Sequence, residues 1–373
     1  MKKALLLLSL LSCFPGQAQV PSFGSMERID LASWNLMWYG HAVYGSTNKA
    51  RQRSSVGQVL RNAKIDIWCF QEVCDTGDFS DLLRESGPFH HIYASYWQDQ
   101  KIAWVWDSTQ WTLIHDTMLF KDSPQDFASG RLPVLVVLVA KNRADTLFLV
   151  GVHLKAHTGS DPQKQEAYFN RKVSGEHLNS WKDMFSDRRV IVAGDWNDDM
   201  DKSVFNDTVS PFAALKNAGT FLLEKQALAG EKTWYFGDAC IDHIWVNQKT
   251  KEIYTKGSAQ ILLLDWYFGK YPEEVSDHFP VFASLEPTRS LGLPVDILLQ
   301  PRIGPNPSRG TFYLDISAPL PAFVVLDLQG KNVSFQQQGS GGRTEIHIHT
   351  EGIYFLFLKL EEQVFVYRLV VTP

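Results

Sequence analysis

The chain has 373 residues, 45% of them hydrophobic and 13% aromatic, and a net charge of −5. That supplies a substantial core and fits one large domain plus a small one. The charge excludes a global basic field drawing in nucleic acid, so a polyanionic substrate must be held by a local basic patch or a metal.

Lys2 and Lys3, the apolar run Ala4 to Leu11 and the small residues Gly16 and Ala18 read as a signal peptide over residues 1–18, with the mature chain starting at Gln19. The run is too short to span a bilayer. Leu10-Leu11-Ser12-Cys13 offers a lipoprotein box as the alternative, with Leu11 bulky for its position. Arg28 to Leu36 reads as a strand, and residues 49–63 as a helix with Val56, Leu60 and Ala63 on one stripe. Asp66 to Val73 is a buried strand ending at Glu72. Ile102 to Trp106 and Trp111 to Ile114 look like paired strands, and Leu132 to Ala140 and Thr146 to Leu154 form a strongly apolar pair. Asp161-Pro162 opens a long helix as N-cap and first position, with a stripe of Ala167, Val173, Leu178, Trp181 and Phe185. Arg189 to Ala193, Ile241 to Val246 and Phe279 to Leu285 are further strands. The strands outnumber the helices, which fits two packed sheets with helices outside.

Outside the signal, Cys69 reads as a core residue. Cys74 and Cys240 each sit two residues from an acid of interest, Glu72 and Asp242. Export permits a disulfide between them, and sequence leaves open whether they meet.

Several segments carry chemistry. Glu72 follows a buried strand, where a carboxylate needs compensation that a hard divalent cation provides. Asn35 after a strand is placed to help position a metal or a phosphate. Asp195 and Asn197, two apart, share one side of an extended segment. Asp198, Asp199 and Asp201 fail as a calcium loop because Met200 and Asn206 stand where glycine and glutamate are required, so these acids read as solvated or peripheral. Lys155 shares a face with His153 and either meets a phosphate or lies at the surface. His243 reads as a structural histidine.

Trp34-Asn35-Leu36, Gln71-Glu72-Val73, Val152-His153-Leu154-Lys155, Gly194-Asp195-Trp196-Asn197, Ile241-Asp242-His243 and Ser276-Asp277-His278, in this order, resemble the endonuclease/exonuclease/phosphatase family. The resemblance implies an α/β four-layer sandwich, two β-sheets flanked by helices as in deoxyribonuclease I, over residues 24–287. It implies a Mg2+ ion (or Mn2+ or Ca2+) held by Glu72, Asn35 and Asp277. Asp195 and Asn197 would hold the attacking water and phosphate oxygens, and His278 would lie against the scissile phosphate with Asp242 fixing its tautomer. His153 matches the histidine of the deoxyribonuclease and sphingomyelinase branches. The acid that orients it in the deoxyribonuclease branch aligns with Gln100, and Asp99 is a substitute. Arg131 matches an Arg-x-Pro strand start and is a candidate substrate contact beside Asn35 and Lys155.

After residues 288–300, which read as a linker, the chain turns to short strands and turns. Pro305-Asn306-Pro307-Ser308-Arg309-Gly310, Asp327-Leu328-Gln329-Gly330-Lys331, Gly352-Ile353-Tyr354-Phe355-Leu356 and the end at Arg368-Leu369-Val370-Val371 resemble the C-terminal sorting domain of type IX secretion cargo, a small all-β sandwich over residues 301–373. A generic β-sandwich module is the alternative. With its own small core and no catalytic motif, this segment is expected to be dispensable for catalysis and to engage the secretion machinery.

The expected protein is a monomeric, secreted or surface-bound metal-dependent phosphodiesterase, a nuclease cutting DNA or RNA with little sequence preference, since no base-reading motif is visible. The alternatives are a sphingomyelinase-type lipid enzyme, which needs an exposed apolar loop such as Trp266-Tyr267-Phe268, and a non-catalytic adhesion module.

Overall fold

The computed structural model describes residues 19–288, 301–315, 323–327, 330–340, 343–360 and 363–373. The expected signal peptide and all but the first residue of the expected linker lie outside them. In chain order, β1 (Ile29–Tyr39), α1 (Lys49–Asn62), β2 (Ile67–Val73), α2 (Thr76–Ser86), β3 (Phe89–Tyr93) and β4 (Lys101–Asp107) come first. The chain then crosses to a second sheet with β5 (Trp111–Met118), β6 (Val134–Ala140), β7 (Thr146–His153), α3 (Asp161–Lys182), β8 (Arg189–Asp195), β9 (Gly219–Phe221) and β10 (Asp242–Asn247). It returns to the first sheet as β11 (Gln260–Ile261) and β12 (Val281–Leu285). The strand orders are β11-β12-β1-β2-β4-β3 and β5-β6-β7-β8-β10-β9, two six-stranded mixed sheets.

Strand alternation explains the layering. On β1 and β2, Leu31, Ile67 and Cys69 point into the core between the sheets, while Ala32, Trp34, Trp68 and Phe70 point out, against Val56 and Leu60 of α1 and Phe79 and Leu83 of α2. Both faces are covered, so these strands are apolar runs with little polar alternation. Gly151 of β7 packs directly against side chains of the first sheet. A Cβ there would lie 2.8 Å from Ile102 Cγ2 and 2.9 Å from Trp104 Nε1.

Three local expectations are corrected. β4 and β5 are not a pair: β4 bonds to β2 and β3, β5 to β6, and the turn between them carries the chain from one sheet to the other. The short amphipathic α2 and the edge strand β3, absent from the sequence reading, lie between β2 and β4. Helix α3 starts one residue earlier than expected, with Ser160 as N-cap in a capping box with Gln163, and its buried face carries Arg171 and Ser174, while Val173 is only half-buried.

The C-terminal region forms β13 (Arg302–Gly304), β14 (Thr311–Asp315), β15 (Phe323–Leu326), β16 (Gln336–Ser340), β17 (Arg343–His347), β18 (Gly352–Leu360) and β19 (Gln363–Val371). They make a four-stranded sheet, β13-β14-β17-β16, and a three-stranded one, β15-β18-β19. Phe312, Leu314, Ile346, Leu356, Leu358 and Leu369 fill a core between them. The second face of β15-β18-β19 rests on the large domain: Leu326, Phe355 and Phe357 belong to the same apolar cluster as Phe148, Trp181 and Phe185.

Candidate active site

The second sheet lines up three of the candidate side chains by register alone. His153 at the end of β7 pairs with Asp195 at the end of β8, and Asp195 pairs with Asp242 at the start of β10. Gly194 makes the approach possible: its φ is +154°, and a Cβ there would meet the Val152 carbonyl oxygen at 2.0 Å. The first sheet delivers Asn35 and Glu72 from the ends of β1 and β2, which share a register irregularity between Asn35 and Tyr39. Met37, Trp38 and Glu72 have φ of +47°, +52° and +60°, left-handed values costly for such residues. The bulge turns the Glu72 carboxylate out of the ladder and into the space between the two sheet ends.

Asn35 joins the two halves. Its Nδ2 donates to Glu72 Oε1 at 3.2 Å and to Asp195 Oδ2 at 3.0 Å, while its Oδ1 accepts from Met37 N. Glu72 Oε2 accepts from Trp38 N at 2.8 Å. His278 Nδ1 is 2.8 Å from Asp242 Oδ2, and His278 Nε2 is 3.9 Å from Asp195 Oδ2. His153 Nε2 stands 3.6 Å from both Glu72 Oε1 and Asp195 Oδ2. Asn197 Nδ2 donates to the Leu154 carbonyl, and Asn197 N to Asp195 Oδ1. Trp34 and Tyr271 both donate to the His278 carbonyl, and Ser276 Oγ accepts from His278 N while donating to the Asn35 carbonyl. Of these residues Trp38, Glu72, His153, Asp195, Asn197 and His278 line a cavity of about 520 Å³, together with Trp234.

Burial alone lowers the pKa of an imidazole. It does so for His153, helped by Arg131 and His278, and holds that ring neutral. Burial is also the largest influence on His278, but Asp242, Asp195 and Asp277 together override it and raise its pKa well above the ordinary value. Glu72 is raised by burial, then by Asp277, against the opposing pull of His278. Asp195 is raised by burial and by Asp242. Carboxyls so placed favour losing their charge unless a cation compensates it, and Asp242 Oδ1 is buried without a hydrogen-bond partner. The available donors are oxygens, which suits a hard divalent ion. Asp195, Asp242 and His278 also bring ligand atoms within 4.8 Å of one another. Because Asp242 and His278 already share a hydrogen bond, that trio is suited to handling a proton, and Glu72, whose oxygens accept only from Asn35 Nδ2 and Trp38 N, keeps lone pairs that a cation could take.

The remaining expected residues separate. Arg131 lines the cavity, yet its guanidinium is spent on the His153 and Leu154 carbonyls and on Gln100 Oε1. Gln100 therefore orients Arg131, and His153 Nδ1 is buried without a partner. Lys155 and Asp277 are half-buried, and neither is in the cavity lining. Asp277 Oδ2 accepts from Trp234 Nε1. Asp198 and Asp199 are buried instead of solvated: Asp198 pairs with the fully buried Arg171 at 2.8 Å, and Asp199 accepts from Cys240 N. Cys69, Cys74 and Cys240 are all free thiols, so the Cys74–Cys240 bridge is absent. Sequence reasoning missed Trp38, Trp234, Ser276 and Thr233, whose Oγ1 accepts from the Ile241 and Asp242 amides. Only Ser276, inside the Ser-Asp-His segment, carried a signal.

The profile of the endonuclease/exonuclease/phosphatase family matches residues 32–278, and that of the secretion system C-terminal sorting domain matches residues 302–372. Among solved structures, the catalytic domain of human Nocturnin superposes with a TM-score of 0.51 at 19% identity, covering 70% of this chain and 95% of that one. A D. rerio TDP2 humanized by 14 mutations gives 0.52 at 13% identity, covering 69% and 98%. An endonuclease/exonuclease/phosphatase from Bacteroides vulgatus gives 0.50 at 14%, covering 70% and 99%. At these identities the likeness is one of fold. No curated protein matches the chain significantly.

Proposed function

The chain belongs to the endonuclease/exonuclease/phosphatase family, whose members hydrolyse phosphoester bonds, and on that premise we propose that it is an exported, divalent-metal-dependent phosphodiesterase acting on DNA or RNA with little sequence preference. The observation carrying this reading is the His278–Asp242 pair, with His278 3.9 Å from Asp195 and both lining one cavity with Glu72.

Glu72 and Asp277 would hold the ion, with Asn35 fixing Glu72 against Asp195; the ion supplies charge neutralisation at the phosphate. Asp195 and Asn197 hold the attacking water, and Asp195 takes its proton as the oxygen bonds to phosphorus. His278, charged through Asp242, faces the phosphate and gives a proton to the leaving oxygen as the old ester bond breaks. His153 is neutral, and the two carboxylate oxygens near Nε2 favour the proton there, so it donates to a phosphate oxygen. The sorting domain supports delivery to the cell surface or medium by type IX secretion. No described helix is long and apolar enough to cross a membrane.

A lipid substrate is the second reading. Of the three aromatic residues named for it, Trp266 is 78% exposed while Phe268 is buried. Incubating mature protein with plasmid DNA, RNA and sphingomyelin, with and without EDTA, separates the two. Metal-dependent cleavage of nucleic acid is expected; cleavage of sphingomyelin alone would replace this reading.

A further inference from the structure

The two C-terminal sheets differ in what their outer faces present. In the four-stranded sheet, β14 and β17 alternate: Phe312, Leu314, Thr344 and Ile346 are buried, while Thr311, Tyr313, Asp315, Arg343, Glu345 and His347 are exposed or half-buried. That is a sheet with one face in water. β18 does not alternate in chemistry. Tyr354, Leu356 and Leu358 face the small core, and Ile353, Phe355 and Phe357 on the opposite face are apolar too. Val324 and Leu326 of β15 and Val366 of β19 extend this second apolar face. A free-standing sandwich would leave it in water.

What covers it is the outer side of the second catalytic sheet. His115 of β5 lies with its ring centroid 3.9 Å from that of Phe355. Phe148 of β7 is 5.6 Å from Phe357 and 5.1 Å from Phe185, which in turn is 4.8 Å from Trp181 at the end of α3. The turn after β15 reaches the same place: Gly330 lies with Leu119 and Trp181 about it. His115, Phe148, Phe185 and Phe357 are all 3% exposed or less. Helix α3 covers part of this outer side, and the small domain covers the strip around β5 and Phe148 that helices cover elsewhere in the fold.

We propose that the C-terminal β-domain has a second role beside export: it docks in cis on the catalytic domain through the Phe355–Phe357 face of β18 and completes the outer layer of the second sheet. None of the seam residues lines the candidate catalytic cavity, so docking supports the stability of the enzyme and not its chemistry.

The test cuts the protein after it has folded. A site-specific protease sequence is placed within residues 289–300 of the full mature chain, and the purified protein is cleaved and passed over a sizing column. The two fragments are expected to co-elute, to melt as the uncut protein does and to keep full activity. Phe357→Asp in the same background should make them separate, with the freed catalytic fragment melting several degrees lower yet still active at the lower temperature. Cleaved wild-type fragments that separate, leaving a catalytic fragment of unchanged melting temperature, would overturn the proposal. So would co-elution of the Phe357→Asp fragments.

Discussion

The candidate catalytic cavity and the seam between the domains each bury histidine, and the outcome is opposite. His278 is buried against Asp242 and is held charged; His115 is also buried, faces Phe355, has both ring nitrogens without a partner, and is pushed down to about 4 by burial and then by Lys121. Desolvation is common to both. What differs is the carboxylate, whose attraction inside a poorly hydrated pocket exceeds the burial cost. A buried histidine thus points to a site only when a carboxylate is buried beside it.

Removing the partner should give the largest effect. Asp242→Asn and His278→Ala are each expected to lower turnover by roughly 10²–10⁴. The double variant should be little worse than either, because the two act as one unit. Additive losses in single-turnover kinetics would separate them and end the comparison at its catalytic side.

Next comes a buried pair outside the chemistry. Arg171→Met leaves the Asp198 carboxylate uncompensated at zero exposure and should cost about 3–5 kcal/mol in urea unfolding. An effect near zero would show that Asp198 is hydrated after all.

The seam gives a pH signature. Folded His115 titrates below the ordinary imidazole value, so the unfolded chain binds the extra proton. Stability is complete above pH about 6.5 and falls as the pH drops towards 4, by about 3 kcal/mol in all. His115→Leu removes this dependence from the variant, so the wild-type-minus-variant difference in melting temperature should become more negative as the pH falls across that window. A difference that does not change with pH would mean that His115 finds a partner.

The smallest effect expected is none. With three free thiols, reductant should leave the melting temperature and the rate unchanged. A drop on reduction would reveal the bridge between Cys74 and Cys240 that the structure lacks.

The fold class was legible in the sequence, and so was the set of residues that converge at the candidate site. Glu72, His153, Asp195, Asp242 and His278 were named because strand-end motifs carry their residue type and order, and sheet register then brings them together. What escaped depended on tertiary partners. Asp198 reads as one of three solvated acids until Arg171, 27 residues earlier, arrives from α3. Gln100 holds Arg131 in place of His153, a choice set by side-chain geometry alone. The β4–β5 turn has the length of a hairpin, and only the competing partners β2 and β6 decide that it is a crossover. The second apolar face of β18 was visible as Ile353, Phe355 and Phe357, yet an apolar run does not say which surface covers it.

The central claim is that the converging acids bind a metal and hydrolyse a phosphodiester. The most direct measurement is the rate of nucleic-acid cleavage by the mature chain, wild type and Glu72→Gln, with and without EDTA, alongside the melting temperature. The expected result is a loss of about 10³-fold or more both in EDTA and in the variant, with the fold intact, in line with removing transition-state charge stabilisation. Full activity in EDTA, or in Glu72→Gln, would contradict it.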